Sequence, residues 1–461
     1  MWHFPAMPSS TSFIGCCLSF SLTLLFSILP VKASSDEGGP GYLKGPMPLD
    51  ELTVFSKALD TIEKEYIEQR NRLDLSRSCL KGMGEAIPKQ EELTAYYRSI
   101  AAGFSRRMDP ATSRSTEALE DCLHGMVDTL NRYSVIYGEE ASKALIKPDR
   151  TIGGIGLELE RGDKGARVIS THRNGPAVLA GIKTGDVLVR IDGQETVRVS
   201  LDKIVDLLRG KPGSQLSVDV FSPTQTAIRT IVLERRVVQR EPARVELKEH
   251  GVAYIAIDDL STESLNDVTY GIQMVLGKTR GEIQGIVLDL RQNSGGLLNI
   301  SVAIGAIFLP DEALVLETIG RSEIASMRLF ARKSDYIRAG QKDPLLDLPE
   351  EVRTAPMVVL VGPKTAAGAE ALAAALKDHQ RATLVGERTF GKGYVETVMP
   401  LSGTRSRRIL KLTTASIIRP NGEPLENSGV QPDIVARQHD ASTHPDMVLE
   451  EGLRILLSKL P

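Results

Sequence analysis

The 461 residues contain one tryptophan and four cysteines. Neither Cys-x-x-Cys nor His-Glu-x-x-His occurs, so the usual zinc-ligand spacings are missing. The seven histidines are scattered, as ordinary surface or core histidines are. Positive charge is not in excess: 56 Lys and Arg stand against 59 Asp and Glu, a formal net charge of −3. That balance gives no electrostatic reason to expect nucleic acid as a partner. No repeat of solenoid or propeller period is visible. Nucleotide signatures also fall short. Gly154-x-Gly156 lacks the third glycine of a dinucleotide fingerprint. Gly386-Glu-Arg-Thr-Phe-Gly-Lys392 stops one residue short of a phosphate loop, with Gly393 in the Ser/Thr place and a strand-like Tyr394–Val398 where a helix is required. No cofactor and no metal is expected. What remains is an ordinary globular composition, 41% apolar and 25% charged, long enough for two or three domains with proper cores.

The apolar run Phe13 to Leu29 ends at Pro30, and Val31-Lys32-Ala33 puts small residues at the −3 and −1 positions of a cleavage site. Residues 1–33 therefore read as a signal peptide, with Ser34 as the mature N-terminus. An uncleaved anchor is the alternative, because a run of about 17 residues is near the lower limit for a span. Export places the chain in the periplasm or cell envelope, where disulfides form. Cys79-Leu-Lys-Gly-Met83 and Cys122-Leu-His-Gly-Met126 are similar strings, and the sequence leaves open whether their cysteines are bridged.

Residues 34–150 read as a flexible lead-in followed by a helical region. Leu52, Phe55, Leu59, Ile62 and Tyr66 make one stripe of a helix beginning near Asp50, either docked on its own domain or forming a pairing seam. Helix is expected to about Ala144, closing in Leu130-Asn-Arg-Tyr-Ser-Val-Ile-Tyr137. Residues 151–237 form a different unit: a glycine-led strand from Gly153, then Asn174-Gly-Pro-Ala-Val-Leu-Ala-Gly181 as a short helix opened by Pro176 and left at Gly181. A helix capped by Ser200 and strands over Gln215–Phe221 and Ala227–Val232 complete it. Residues 238–440 alternate strands and helices, as an α/β layer fold does. Gly285–Leu290 and Pro356–Val361 have buried-strand character. Residues 441–461 suggest a docking helix carrying Leu449, Leu453, Leu456 and Leu460.

The middle unit is similar to a PDZ domain along its length. The passage Gly362-Pro-Lys-Thr-Ala-Ala-Gly-Ala-Glu370 with Phe390-Gly-Lys-Gly393, the turn Arg291-Gln-Asn-Ser-Gly-Gly296 and the close Gly429-Val-Gln-Pro-Asp433 resemble the carboxyl-terminal processing (tail-specific) serine peptidases. The Leu130–Tyr137 segment is similar to a further signature of that family, with Asn131 and Arg132 departing from it. The resemblance implies an α/β peptidase core of mixed sheet and helices, an N-terminal helical region and an inserted PDZ domain.

It also implies a serine–lysine dyad, in which the serine lies three residues before the glutamate. Here that position is Ala367, the general-base position is Lys392, and Gly295 and Gly296 match the oxyanion side. A glutamine commonly orients the lysine; Glu396 occupies its place, where a nearby carboxylate favours a charged amine and opposes base catalysis. Thr365 and Ser294 are the substitute hydroxyls to weigh. The PDZ resemblance assigns peptide binding to Gly153, Gly154, Ile155, Gly156, Leu157, Leu159, Val205 and Leu208. Backbone N–H groups of the glycine loop would surround a terminal carboxylate, and an added strand would lie beside Ile155–Leu159. Leu157, Leu159, Val205 and Leu208 serve equally well as plain core residues. The expected function is recognition of protein C-termini with hydrolysis impaired or lost, and the alternative is an active serine-type endopeptidase. Expected partners are C-terminal segments of exported proteins, an active peptidase paralogue or regulatory protein, and a second copy of the chain.

Overall fold

In the computed structural model Leu52, Phe55, Leu59 and Ile62 are the buried side of helix α1 (Leu49–Glu65), and Tyr66, buried too, is its extended C-cap. The structure describes residues 48–109, 115–139, 141–142, 153–162, 165–171, 175–197, 199, 201–223, 227–237, 242–402, 407–437 and 446–460. The expected signal peptide, the lead-in up to residue 47, Ala144, Asn174 and Ser200 lie outside them. Two compact units divide the chain; the first takes the described part of residues 1–139 with Gly320–Ala325 and Glu396–Ala415, and the second takes the rest.

In the first unit α1 is followed by α2 (Arg72–Gly82), α3 (Leu93–Arg106) and α4 (Thr116–Val127). The α1 stripe buries against Leu75, Leu80, Ile100, Phe104 and Leu119 of these helices, so it is spent on its own unit. The two similar strings meet where α2 and α4 touch. Cys79 and Cys122 form a disulfide with Cα atoms 3.9 Å apart. Three residues on, a Cβ at Gly125 would lie 2.3 Å from the Ser78 carbonyl oxygen, and one at Gly82 would lie 2.1 Å from that of Asp121. Only glycine permits such an approach of two backbones. The expected continuation of helix does not form over residues 128–138, although Glu139, Ala141 and Ser142 are helical again. α4 stops at Val127, and Val135–Tyr137 is a strand, β1. The Asn131 side chain accepts hydrogen bonds from Ser134 at 3.1 Å and Thr413 at 2.9 Å, holding a turn that competes with helix.

In the second unit the PDZ sheet contains β2 (Leu157–Gly162), β3 (Gly165–Thr171), β4 (Val187–Ile191), β5 (Gln194–Glu195), β6 (Gln215–Phe221) and β7 (Ile228–Glu234), with α5 (Pro176–Leu179) and α6 (Leu201–Leu208). The antiparallel order is β2-β3-β4-β6-β7, with β5 on β4, which leaves β2 at an edge. Pro176 sits in the first turn of α5, and Gly181 leaves it at φ 78°.

The core of this unit begins with β8 (Ala243–Leu247), β9 (Val252–Ile257), α7 (Thr262–Lys278), β10 (Gly285–Asp289) and α8 (Leu298–Phe308). β11 (Leu314–Gly320), β12 (Met327–Phe330), α9 (Lys333–Tyr336), α10 (Glu350–Thr354), β13 (Met357–Val361), α11 (Gly368–Asp378) and β14 (Thr383–Gly386) follow. β15 (Tyr394–Ser402) pairs with β16 (Arg407–Ile418), both mostly within the first unit, and β17 (Ile434–Val435) and α12 (Met447–Leu457) close the chain. In the first unit, Val135 of β1 lies opposite Lys411 of β16. The central sheet has the order β17-β14-β13-β10-β9-β8; only β8 is antiparallel to its neighbour. Strand alternation sorts its side chains. Ile255, Ile286, Leu288 and Val359 share one core with α7, α8 and α11, whereas Tyr254, Val287, Val358 and Leu360 share another with α12. A mostly parallel sheet is thereby covered on both faces, which explains its continuous apolar strands.

Candidate active site

Three neighbouring parallel strands, β10, β13 and β14, deliver their following loops to the same end of the sheet, the usual place for a ligand crevice in open α/β sheets. After β13 the chain makes a tight turn into α11, and Ala367 at the helix entrance has φ 52° and ψ −119°. A positive φ at a residue with a Cβ is strained, typically by about 1–3 kcal/mol. The turn is held from two sides. Ala366 N–H donates to the Asn293 carbonyl at 3.0 Å, and Ala367 N–H to Glu370 Oε2 at 2.9 Å. Glu370 thus supplies half of a capping box; alanine has no side-chain acceptor to return the other half.

The loop after β10 packs directly on this turn. A Cβ at Gly295 would lie 3.0 Å from the Ala367 Cβ and 3.4 Å from the Gly368 nitrogen, and one at Gly296 would strike the Leu260 backbone at 2.3 Å. With φ of 109° and 143°, these two positions require glycine. Asn293 shapes the loop: its side-chain oxygen accepts from Gly295 N–H at 2.9 Å, and its amide donates to the Ile257 carbonyl at 3.1 Å. Gly295 N–H is therefore occupied. The N–H groups of Gly296 and Gly368 donate to no group among the described residues.

The loop after β14 carries Lys392, which is half-buried. Its backbone is held by carboxylates. Glu370, fully buried, accepts from the Thr389 hydroxyl, from Gly391 N–H at 2.7 Å and from Lys392 N–H at 2.9 Å. Glu426 takes Gly393 N–H at 2.8 Å. Burial pushes the Glu370 carboxyl above the usual range, against the pull of its four hydrogen bonds. One side chain therefore ties the Ala367 turn to the Lys392 loop. Sequence reasoning passed over it, although an acidic residue three positions after a helix entrance is a capping-box signal. Glu396 lies on β15 and is half-buried. Thr365 is fully buried and its hydroxyl is engaged twice, donating to the Leu290 carbonyl at 2.9 Å and accepting from Gly362 N–H at 3.0 Å. Ser294 is exposed in the glycine turn.

In the PDZ sheet, edge strand β2 lies next to α6. Ile155 and Leu208 are buried in its core, Leu157 and Leu159 pack half-buried against it, and Val205 is half-buried on α6. The glycine loop does not offer all its donors. Gly153 N–H pairs with the Gly210 carbonyl at 2.7 Å and Gly154 N–H with that of Arg236 at 2.8 Å. Ile155 and Gly156 N–H have no partner among the described residues, and Gly156 is at φ 73°. Pairing with residues more than 50 positions away has no local sequence signal. Arg235 fixes α6 from below, its guanidinium donating to the carbonyls of Leu207 at 2.9 Å, Leu208 at 3.2 Å and Gln215 at 2.9 Å.

A PDZ sheet joined to a mixed α/β core with this turn defines a class of PDZ-bearing peptidase-fold proteins. The model of peptidase family S41 matches residues 251–436, and that of the PDZ domain matches residues 144–220. Over its core the chain is thus similar to the carboxyl-terminal processing proteases of family S41, with a PDZ domain ahead of that core. It is 29% identical over 362 residues to the carboxy-terminal-processing protease of Bartonella bacilliformis, covering 77% of this chain and 79% of that protein. The carboxy-terminal processing protease CtpA of Bacillus subtilis is 26% identical over 362 residues, covering 77% of this chain and 71% of the relative. Among solved structures, the photosystem II D1 C-terminal processing protease shares the fold, with a TM-score of 0.59 at 23% identity over 89% of this chain and 98% of that one.

Proposed function

We propose that this chain is an exported member of its family that recognises protein C-termini through its PDZ domain and is impaired or inactive in hydrolysis. The observation that carries the reading is Ala367. It occupies the strained helix-entrance turn, against Gly295, where the family resemblance puts a serine. A methyl group cannot attack a carbonyl, so Lys392 has no hydroxyl to activate there. The remaining donors for a developing oxyanion are Gly296 and Gly368 N–H. In the PDZ domain, an extended peptide would add to the β2 edge and set its carboxylate at Ile155 and Gly156 N–H. Its role is binding, scaffolding or regulation of an active peptidase in the periplasm or envelope. The doubly engaged hydroxyl of Thr365 argues against Thr365 as the substitute nucleophile.

The test is incubation of the pure protein with an unfolded substrate. Wild type gives little cleavage, Ala367→Ser restores weak cleavage, and adding Glu396→Gln raises it more than additively, as expected for groups acting as a unit. Clear wild-type turnover abolished by Ser294→Ala or Thr365→Ala would establish an active endopeptidase instead.

A further inference from the structure

We propose that β7, the free edge of the PDZ sheet, pairs with β7 of a second copy of this chain, antiparallel about Thr230. The inference is independent of Ala367 and of carboxylate binding beside β2. The α1 stripe, the seam expected from the sequence, is buried in its own unit.

The register fixes which way the backbone of β7 points. Ser217 of β6 faces Asp192, just past β4: its carbonyl accepts from Asp192 N–H at 2.8 Å, and its N–H donates to the Asp192 side chain at 2.7 Å. Alternation then turns the backbone groups of Leu216, Val218 and Val220 toward β7, where they lie opposite Leu233, Ile231 and Arg229. Ile228, Thr230, Val232 and Glu234 therefore aim their N–H and C=O groups away from the sheet. Arg236, next in this series, exchanges bonds with Gly154 at 2.8 and 2.9 Å. The outward backbone groups before it have no partner among the described residues.

Little guards this edge. Edge strands are usually shielded by bulges, prolines or charges. β7 runs along β6 with no register shift and contains no proline, whereas β2, at the other end, has a shift between Glu158 and Leu159. Arg229 is turned onto its own domain, 3.3 Å from Ser222 Oγ and 3.6 Å from Asp186. Glu234 closes the strand and lies 3.4 Å from Arg236. Ile228 and Val232 stand in water, 54% and 62% exposed, on the face they share with Thr230.

What fits this edge is the edge itself. With a two-fold axis at Thr230, Thr230 lies opposite its own copy, and Ile228 lies opposite Val232 of the second copy on both sides. Each pair joins outward-facing residues, so each exchanges both N–H···O bonds while the apolar side chains cover one another. Arg229 falls opposite Ile231, and no like charges meet. Centring on Val232 would instead set Ile228 against Arg236, whose backbone Gly154 already holds. A foreign strand satisfies the backbone equally, but only a second copy always brings Ile and Val in this register. Because β2 ends the other side of the strand order, each copy keeps its peptide edge open and the dimer presents two.

Light scattering and hydrogen exchange on the full wild-type chain test the seam. One strand pair is a small interface, so the mass should pass from monomer to dimer between about 1 and 500 μM. Over that range the amides of Ile228, Thr230 and Val232 should gain about tenfold protection, while those of Ile155 and Gly156 should not change. Ile228→Lys and Val232→Glu should each weaken the dimer by about 2- to 30-fold. Both together should bind more tightly than either alone: the new charges face each other across the seam but lie about 13 Å apart within one strand. Thr230→Pro removes an outward N–H that the monomer does not use, and should abolish the dimer. A chain that stays monomeric with these β7 amides exchanging freely overturns the proposal and leaves the edge to another protein's strand or to none. So does a dimer whose β7 amides exchange as fast as the monomer's, whatever the variants do. A double variant no better than the weaker single one overturns the register at Thr230, and the proposal with it.

Discussion

Replacing Glu370 with glutamine keeps shape and volume but changes the hydrogen-bond account of the whole site. Oε1 receives Gly391 N–H and the Thr389 hydroxyl; Oε2 receives Lys392 and Ala367 N–H. Every partner is a donor. If the new NH₂ takes the first position, Gly391 N–H is orphaned. The Thr389 proton is stranded as well, because an amide NH₂ cannot accept it; that hydroxyl keeps only the bond it accepts from Val430 N–H at 2.7 Å. If it takes the second, two backbone N–H groups are orphaned. Each buried donor without a partner costs about 1–3 kcal/mol. Removing a buried charge recovers part of this, as the raised carboxyl indicates. The net expectation is a loss of about 2–4 kcal/mol, local to the Ala367 turn and the Lys392 loop. Because a chain with several compact parts need not unfold in one step, native-state hydrogen exchange is the better assay. Exchange at Gly391, or at Lys392 and Ala367, should speed up by about 30- to 1,000-fold, while amides of β9 and β10 stay protected. If Glu370→Gln leaves these amides within about twofold of wild type, the carboxylate is not what joins turn to loop.

Three other outcomes follow from the same geometry. Gly125→Ala should lower stability by about 1–3 kcal/mol, because its methyl meets the α2 backbone and not a movable side chain, whereas Gly277→Ala, in open space on α7, should be neutral or gain up to about 1 kcal/mol; paired thermal melts decide this. Burial works to raise the Asp446 carboxyl, but bonds from Arg291 and from Leu449 N–H outweigh it and hold it below its ordinary value of 3.8. A depressed carboxyl stabilises the fold above its unfolded value and loses that contribution as pH falls through the folded one. α12 should therefore lose exchange protection below about pH 3.8, and Asp446→Asn should abolish this acid step. Amidating a C-terminal peptide should weaken PDZ binding greatly in anisotropy titrations; equal affinities for acid and amide would sink carboxylate recognition at Ile155 and Gly156.

Local pattern was enough for much of this molecule. The three- and four-residue spacing of Leu52 to Tyr66 defines a helix face wherever it docks, Pro176 and Gly181 bracket a short helix, and unbroken apolar runs mark β10 and β13 as covered on both sides. The resemblance carried by Phe390–Gly393 and Arg291–Gly296 pointed to an S41-like peptidase core through short segments whose conformation is largely their own. What the sequence could not reach were contacts between distant residues. The strand Val135–Tyr137 forms because Lys411 and its neighbours offer it a ladder, and the cysteines join because Gly82 and Gly125 let two helices touch. Gly153 and Gly154 surrender their N–H groups to Gly210 and Arg236, and Glu370 becomes the link between two loops. Periodicity records which side of an element is buried; only the folded chain decides which donor meets which acceptor across it.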